Sequence, residues 1–308
     1  MHLENKNPRI VYMGTPDFAV PPLEALIKKG YDIAGVVTVS DKPAGRGQKI
    51  KESAVKQCAV ANNLNILQPL NLKSESFISE LKSLKADLFI VVAFRMLPKA
   101  VWAMPRLGTF NLHGSLLPKY RGAAPIHWAI INGDFTSGLT TFLLDQKIDT
   151  GGTLMQIEHP IKPDSTAGIL YEELMGLGPE IVIRTTEGLI DGTLKSTPQN
   201  ENLASHAPKL NKDNTRLDFS KQPKELVQQI LGLNPSPKAH FAQYKFLVAA
   251  LTETQNPSEI PVLCVREKQL FLDYPKGSIE ILEIQPNGKK KMQSKSFING
   301  VKVAILPL

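Results

Sequence analysis

Apolar and polar positions divide the chain into two regimes. In the first, a short β-rich run at 9–13 is broken by Gly14, Thr15, Pro16 and Asp17. Residues 20–29 then carry apolar side chains at helical spacing, with Gly30 as the stop. A valine-rich run at 31–40 predicts a second strand, and this β-loop-α-β opening predicts a parallel α/β sheet. Helices are predicted over 53–63 and 71–85, the second with Leu72, Phe77, Ile78, Leu81 and Leu84 in register. The run 86–94 predicts a central strand, apolar on both faces from Leu88 to Val92. The stretch 109–113 alternates by class, so Phe110 and Leu112 face one way while Asn111 and His113 face the other. Gly, Ser, Pro and a second Gly then build a loop, and 123–131 predicts a short apolar helix. Strands follow at 138–145 and 153–161. The span 165–189 predicts a long amphipathic helix that Gly176, Gly178 and Pro179 should break or kink. Glu172 and Glu173 fall on it at adjacent positions, which diverge on a helix, so they predict a solvated face rather than a carboxylate pair.

The second regime begins after a polar stretch of weak periodicity. Residues 191–208 hold Gly, Pro, Ser, Thr and Asn and predict a linker between a first domain, 1–190, and a second, 209–308. Beyond it come one helix within 219–231 and short β runs at 245–251, 262–265, 269–272 and 278–285, the pattern of a small β-barrel.

Composition adds the class. With 308 residues, 42% hydrophobic and 21% charged, the chain has ordinary globular content. Its longest apolar run, 88–94, is far short of the eighteen or more residues of a membrane helix, so no membrane partner is expected. The opening residues carry neither a hydrophobic signal core nor an Arg-rich amphipathic pattern, and the expected location is cytoplasmic. Cys58 and Cys264 stand far apart without metal-ligand spacing, so neither a disulfide nor a metal site is expected. The net charge of +7 is unevenly placed. From Ala207 onward fifteen Lys and Arg face nine Asp and Glu, a balance of +6; the 206 residues before it hold twenty-one against twenty, a balance of +1. A basic final third on a near-neutral body fits a module that holds a polyanion through phosphates, and equally fits a solvated basic surface.

Candidate chemistry gathers at 109–152. Asn111 and His113 leave one strand on one face, and Asp149 sits on the tight Asp149-Thr150-Gly151-Gly152 corner that follows the next strand. A polar pair at a strand end also serves as a satisfied structural feature. With the aspartate added, the set suits acyl transfer: an amide that donates to a developing oxyanion, an imidazole that faces it, and a carboxylate that orients the ring and favours its charged form. Neither cysteine lies near, and Ser115 has no activating base in sequence, so direct transfer between two bound substrates fits better than a covalent acyl-enzyme. The first turn holds only Gly14 where a dinucleotide fingerprint needs three spaced glycines, which argues against NAD.

Four strings give these residues a family. NLHGSLLPKYRGAAPI at 111–126, GLTTFLLDQKIDTGG at 138–152, MGTPDFA at 13–19 and DKPAGRG at 41–47 resemble the 10-formyltetrahydrofolate-dependent formyltransferases, in particular the branch that acts on charged initiator tRNA. The resemblance implies a Rossmann-like parallel-sheet catalytic domain and a small OB-like β-barrel. It implies 10-formyltetrahydrofolate as formyl donor, no metal, and the α-amine of methionyl initiator tRNA as acceptor, in a bacterial, monomeric enzyme of translation initiation. It assigns catalysis to Asn111, His113 and Asp149. Folate binding falls to Ser115, Leu116, Leu117 and Pro118, with Phe94, Met96, Leu97 and Asp145. Arg46, with Lys42 and Lys49, lies in the loop expected at 41–51 that meets the tRNA acceptor stem, and the Lys289, Lys290, Lys291 run at a turn is a further candidate phosphate contact. Arg95 departs from the family pattern, which has a small residue there. A formyl-folate hydrolase or a sugar-amine formyltransferase would share the Asn-His-Asp set, but would leave the Arg46 loop and the basic domain without a role. A non-catalytic nucleic-acid-binding protein would leave the Asn-His-Asp set idle.

Overall fold

The computed structural model describes residues 8–44, 49–300 and 305–307. In chain order it contains β1 (Arg9–Gly14), α1 (Val20–Lys28), β2 (Asp32–Val37), β3 (Lys42–Ala44), β4 (Lys49–Lys51), α2 (Ala54–Ala61), β5 (Ile66–Leu67), α3 (Glu75–Ser83), β6 (Leu88–Val92), α4 (Lys99–Trp102), β7 (Thr109–His113) and β8 (Arg121–Gly122). Then follow α5 (Pro125–Ile131), β9 (Thr136–Leu143), β10 (Thr153–Pro160), α6 (Ala167–Ile190) and β11 (His206–Ala207). Packing divides the chain into two compact units. One is Met1–Gly122 with Gly138–His159 and Glu172–His206; the other is Ala123–Ser137 with Pro160–Tyr171 and Ala207–Leu308. The division does not fall at a single chain position.

The first unit is built on a seven-stranded sheet of order β10-β9-β7-β6-β1-β2-β5. β1, β2, β5, β6 and β7 run parallel, and β9 lies antiparallel to β7. β6 is buried at every position, as a strand covered on both faces must be, and Val11, Met13, Phe89 and Val91 pack with Leu72, Phe77 and Leu81. Ser53 caps α2 by accepting from the Lys56 N–H at 3.1 Å. Two expectations change here. The span 41–51 is not a plain loop: β3 and β4 pair as an antiparallel hairpin, with Lys42 opposite Lys51 and Ala44 opposite Lys49. Of the break or kink expected at Pro179, the break does not occur: the helix is continuous as α6. Proline there removes one intrahelical bond, and buried Leu174, Ile181, Val182, Thr185 and Thr186 hold the helix through it. Gly178 lets it approach closely: a Cβ there would meet Pro22 at 3.1 Å and Leu112 at 3.5 Å.

In the second unit α7 (Pro223–Gly232) is followed by β12 (Ala239–Phe241), β13 (Tyr244–Leu251), β14 (Val262–Arg266), β15 (Gln269–Tyr274), β16 (Gly277–Pro286), β17 (Met292–Gln293), α8 (Ser294–Asn299) and β18 (Ile305–Pro307). The strands form one sheet of order β12-β13-β16-β15-β14-β18, with β17 on β16, and these neighbours pair antiparallel. The second unit is thus a small antiparallel β domain, as its run of short strands predicts. α5 packs on α7, where Gly232 leaves room: a Cβ would lie 2.9 Å from the Ile131 amide nitrogen and 3.0 Å from the His127 carbonyl.

Candidate active site

The candidate site starts on β7. Its neighbours β6 and β9 fix the register, with Asn111 opposite Val91 on one side and Phe142 on the other. Phe110 and Leu112 are buried; Asn111 is half-buried, and its amide has no hydrogen-bond partner among the described residues. His113 is buried, 6% exposed. Its Nε2 lies 2.8 Å from the Tyr120 carbonyl, and because a carbonyl only accepts, Nε2 carries the ring proton. Phe142 meets the ring edge-on, with centroids 6.3 Å apart.

Nδ1 then faces Asp149, 3.7 Å from Oδ2. That separation exceeds a hydrogen bond, so Tyr120 and Phe142, not Asp149 alone, set the imidazole's orientation. Tyr120 reaches the ring from a left-handed backbone, φ 63°, and its amide donates to Ser205 Oγ at 2.9 Å. No side-chain pattern marks a backbone carbonyl, which is why sequence reasoning missed it.

Asp149 also has a left-handed backbone, φ 55°. Its Oδ2 accepts from the Gly122 N–H at 2.8 Å. Gln199 holds the corner from the outside, donating through Nε2 to the Asp149 carbonyl at 2.9 Å and the Gly151 carbonyl at 2.8 Å. Gln199 Oε1 in turn accepts from Arg121 Nε at 3.0 Å and Nη2 at 2.8 Å. Arg121, 6% exposed, pairs with Glu201 through Nη1 and Nη2, both at 2.8 Å. The guanidinium lowers the Glu201 carboxyl below its ordinary range, and Glu201 raises Arg121 further. The stretch expected as a linker therefore supplies two members of this network. It also carries a bridge from Thr197 to Thr153.

The residues assigned to folate divide into two groups. Ser115 is fully buried, and its hydroxyl donates to the Lys119 carbonyl at 2.6 Å. Leu117 is buried, and its amide donates to Thr140 Oγ1 at 3.0 Å, while Gln156 Nε2 donates to the Leu117 carbonyl at 2.8 Å. Leu116 and Pro118 are half-buried. Leu97 joins the core, with Phe94 packed against it, whereas Met96 is 71% exposed. Arg95 ties this loop down by donating to the carbonyls of Leu70, at 3.2 Å, and Pro69, and its guanidinium lies 5.7 Å from the Phe94 ring. Asp145 is exposed, its carboxylate accepting from the Lys147 N–H at 3.0 Å and the Thr150 hydroxyl at 2.8 Å.

Of the residues assigned to tRNA, Arg46 lies outside the described residues, and only the backbone of Lys42 and Lys49 is described. Lys289, Lys290 and Lys291 are exposed, and Lys291 Nζ stands 3.8 Å from Glu283. Elsewhere Glu173 corrects the expectation of a solvated carboxylate: it meets His159 Nε2 at 3.0 Å. Among the described residues no group of three or more His, Cys, Asp or Glu is placed to hold a metal ion, and no helix is long and apolar enough to cross a membrane.

An unpartnered amide beside a buried imidazole and a carboxylate, at the end of a parallel strand, is equipment for transferring an acyl-type group without a covalent intermediate. The chain belongs to the formyl transferase family: the formyl transferase profile matches residues 8–186, and the profile of the formyl transferase C-terminal domain matches 209–302. It is 50% identical to the methionyl-tRNA formyltransferase of Flavobacterium johnsoniae over 302 residues, 95% of this chain and 96% of that one. It is 44% identical to the methionyl-tRNA formyltransferase of Bacteroides fragilis, over 97% of this chain and 96% of that one. Among solved structures, WlaRD, a sugar 3N-formyl transferase crystallised in the presence of dTDP and 5-N-formyl-THF, shares the fold with a TM-score of 0.68 at 22% identity, covering 93% of this chain and 100% of that one. HypX from Aquifex aeolicus in complex with tetrahydrofolic acid matches with a TM-score of 0.65 at 18% identity, over 95% of this chain and 47% of that one.

Proposed function

We propose that this chain transfers the formyl group of 10-formyltetrahydrofolate to the α-amine of methionine esterified to initiator tRNA. The observation that carries this reading is similarity along nearly the whole chain to relatives that bear that activity in their names, through both the catalytic and the C-terminal domain. The amine adds to the formyl carbon, the carbon–nitrogen bond to the folate breaks, and one proton passes from the amine to the departing folate nitrogen. Asn111 donates its free amide to the developing oxyanion. His113, with Nε2–H committed to Tyr120, offers Nδ1 as the nitrogen that holds the travelling proton. Asp149 places negative charge beside that nitrogen when it is protonated.

Folate contacts the loop Ser115, Leu116, Leu117 and Pro118, with Phe94, Met96, Leu97 and Asp145. The buried members of this set shape the loop, and Met96 offers an apolar side chain at its surface. Arg46, Lys42, Lys49 and the Lys289, Lys290, Lys291 run meet phosphates of the tRNA. The catalytic domain is 1–190, the linker 191–208 and the tRNA-binding domain 209–308, in a monomer that works in the bacterial cytoplasm.

The test is formyl transfer from 10-formyltetrahydrofolate, comparing charged initiator tRNA, charged elongator methionine tRNA, a nucleotide-linked aminosugar and water as acceptors. Formylation confined to the initiator tRNA is the expected result. Transfer to the aminosugar or to water instead would overturn the assigned acceptor.

A further inference from the structure

Asp149 is presented to His113 by a turn that its own side chain does not stabilise. The residue sits at φ 55°, a conformation that costs a non-glycine residue about 1 kcal/mol or more. Two carbonyls of the turn, those of Asp149 and Gly151, converge on a single side-chain amide, Gln199 Nε2. Gln199 lies 48 residues or more away in sequence from both, so no local signal couples them. Its other end is fixed as firmly: Oε1 takes two N–H groups of Arg121, whose remaining donors fork onto Glu201. The amide cannot flip, because the flip would set its NH₂ against a guanidinium and its oxygen against two carbonyls. Arg121 is one residue from Gly122, whose N–H holds Asp149 Oδ2. Backbone and carboxylate of Asp149 are thus fixed from two sides by one connected set.

We propose that Gln199 is a positioning residue for catalysis: oriented by the Arg121–Glu201 pair, it locks the Asp149 corner so that the carboxylate stays beside His113. This inference rests on the catalytic role of Asp149 given above. Three substitutions separate its parts. Gln199→Met keeps the volume and removes both donors. Gln199→Glu keeps the acceptor for Arg121 but turns an oxygen on the two carbonyls. Asp149→Asn supplies the background in which a residue acting only through Asp149 has nothing left to do.

The experiment is single-turnover formyl transfer with a radiolabelled donor, for parent, Gln199→Met, Gln199→Glu, Asp149→Asn and the Asp149→Asn/Gln199→Met double variant, with urea unfolding of each. The expected result is a fall of about tenfold or more in turnover for both Gln199 variants, with KM for both substrates within about twofold of the parent. In the Asp149→Asn background the same Met substitution changes turnover by less than about twofold. Parental turnover in folded Gln199→Met would overturn the proposal, as would a loss that persists undiminished in the double variant, since that is what packing alone produces. If Asp149→Asn itself keeps parental turnover, the catalytic assignment of Asp149 fails first and the Gln199 role falls with it. An inactive Asp149→Asn with a fully active Gln199→Met sinks the positioning role alone.

Discussion

Gly151→Ala tests the corner at its tightest point. A Cβ built on Gly151 lies 1.7 Å from the Leu143 carbonyl oxygen and 2.9 Å from its carbon. Both are backbone atoms of the sheet, so no side chain can swing away. Restoring ordinary contact takes a shift on the order of 1.5 Å in the turn. Two hydrogen bonds sit on that backbone, from Leu143 N–H to the Gly152 carbonyl at 3.0 Å and from Gln199 to the Gly151 carbonyl at 2.8 Å. Weakening both costs about 2 kcal/mol of stability. Asp149, proposed above as a catalytic residue, is two residues upstream, and a misplacement of about 1 Å in such a group costs about 10²-fold in rate. The expected outcome is a turnover about 10²-fold below the parent, measured on initiator tRNA, together with a urea midpoint lowered in proportion to about 2 kcal/mol. Gly176→Ala is the control: nothing lies within 4 Å of its added Cβ in α6, and an alanine there stabilises by about 0.5–1 kcal/mol with turnover unchanged. A Gly151→Ala enzyme that stays folded with turnover within about threefold of the parent would refute the argument that this corner's geometry sets the rate.

Three further outcomes are expected. Asn111→Ala, which removes an amide with no partner, lowers turnover about 10²–10³-fold and leaves the urea midpoint where it was. At Asp273, burial favours the neutral acid, but hydrogen bonds from Arg266, Ser278 and Cys264 outweigh it and hold the carboxyl below its ordinary range. A depressed folded pKa contributes stability that is complete above the unfolded value of about 3.9 and is lost as pH falls through the folded one, so Asp273→Asn lowers stability at neutral pH by about 2 kcal/mol and flattens the acid limb of the pH–stability curve; a curve parallel to the parent's would contradict this. Charge reversal at Arg46 or Lys290 weakens tRNA binding and reduces the slope of log affinity against log salt by about 1 for each phosphate no longer neutralised; an unchanged slope removes that residue from the interface.

Much of the architecture was legible because period-2 and period-3.6 patterns act over short range. β7 declares itself by alternation, and with it the common face of Asn111 and His113; β6 declares itself as a run buried on both sides. The Asp149 corner is visible as Asp-Thr-Gly-Gly. What was not legible is whatever depends on a distant or a backbone partner. The Tyr120 carbonyl has no side-chain signature. Gln199 sits in a polar, aperiodic stretch that composition assigns to a linker, and its partners Arg121, Asp149 and Gly151 are 48 to 78 residues away. At Pro179 the helix does not break, because tertiary packing on buried side chains outweighs the local rule. The pairing of β3 with β4 was hidden by Pro43, a residue that a strand rule discounts.

Three non-glycine residues with left-handed backbones lie at the segments that make or flank the candidate site. Ala93, φ 46°, ends β6 ahead of the Phe94–Leu97 loop; Tyr120, φ 63°, turns its carbonyl to His113; Asp149, φ 55°, turns its carboxylate there. Each conformation is unfavourable by about 1–2 kcal/mol for an L-residue. None is required to connect the flanking strands, since a glycine at each would do so without that cost. At Tyr120 and Asp149 the side chain or the carbonyl is what the position is used for, and the strain is offset by bonds that over-determine it: Ser205 on the Tyr120 amide, Gln199 on the Asp149 carbonyl, Gly122 on the Asp149 carboxylate. A site arranged in this way is set before substrate arrives, so binding energy need not be spent on assembling it. The same arrangement makes it brittle. Because the supporting bonds converge on His113 and Asp149 from segments far apart in sequence, loss of any one releases strain at the proposed catalytic groups rather than at the surface. Substitutions at Ser205 or Gln199 should therefore register in turnover before they register in stability.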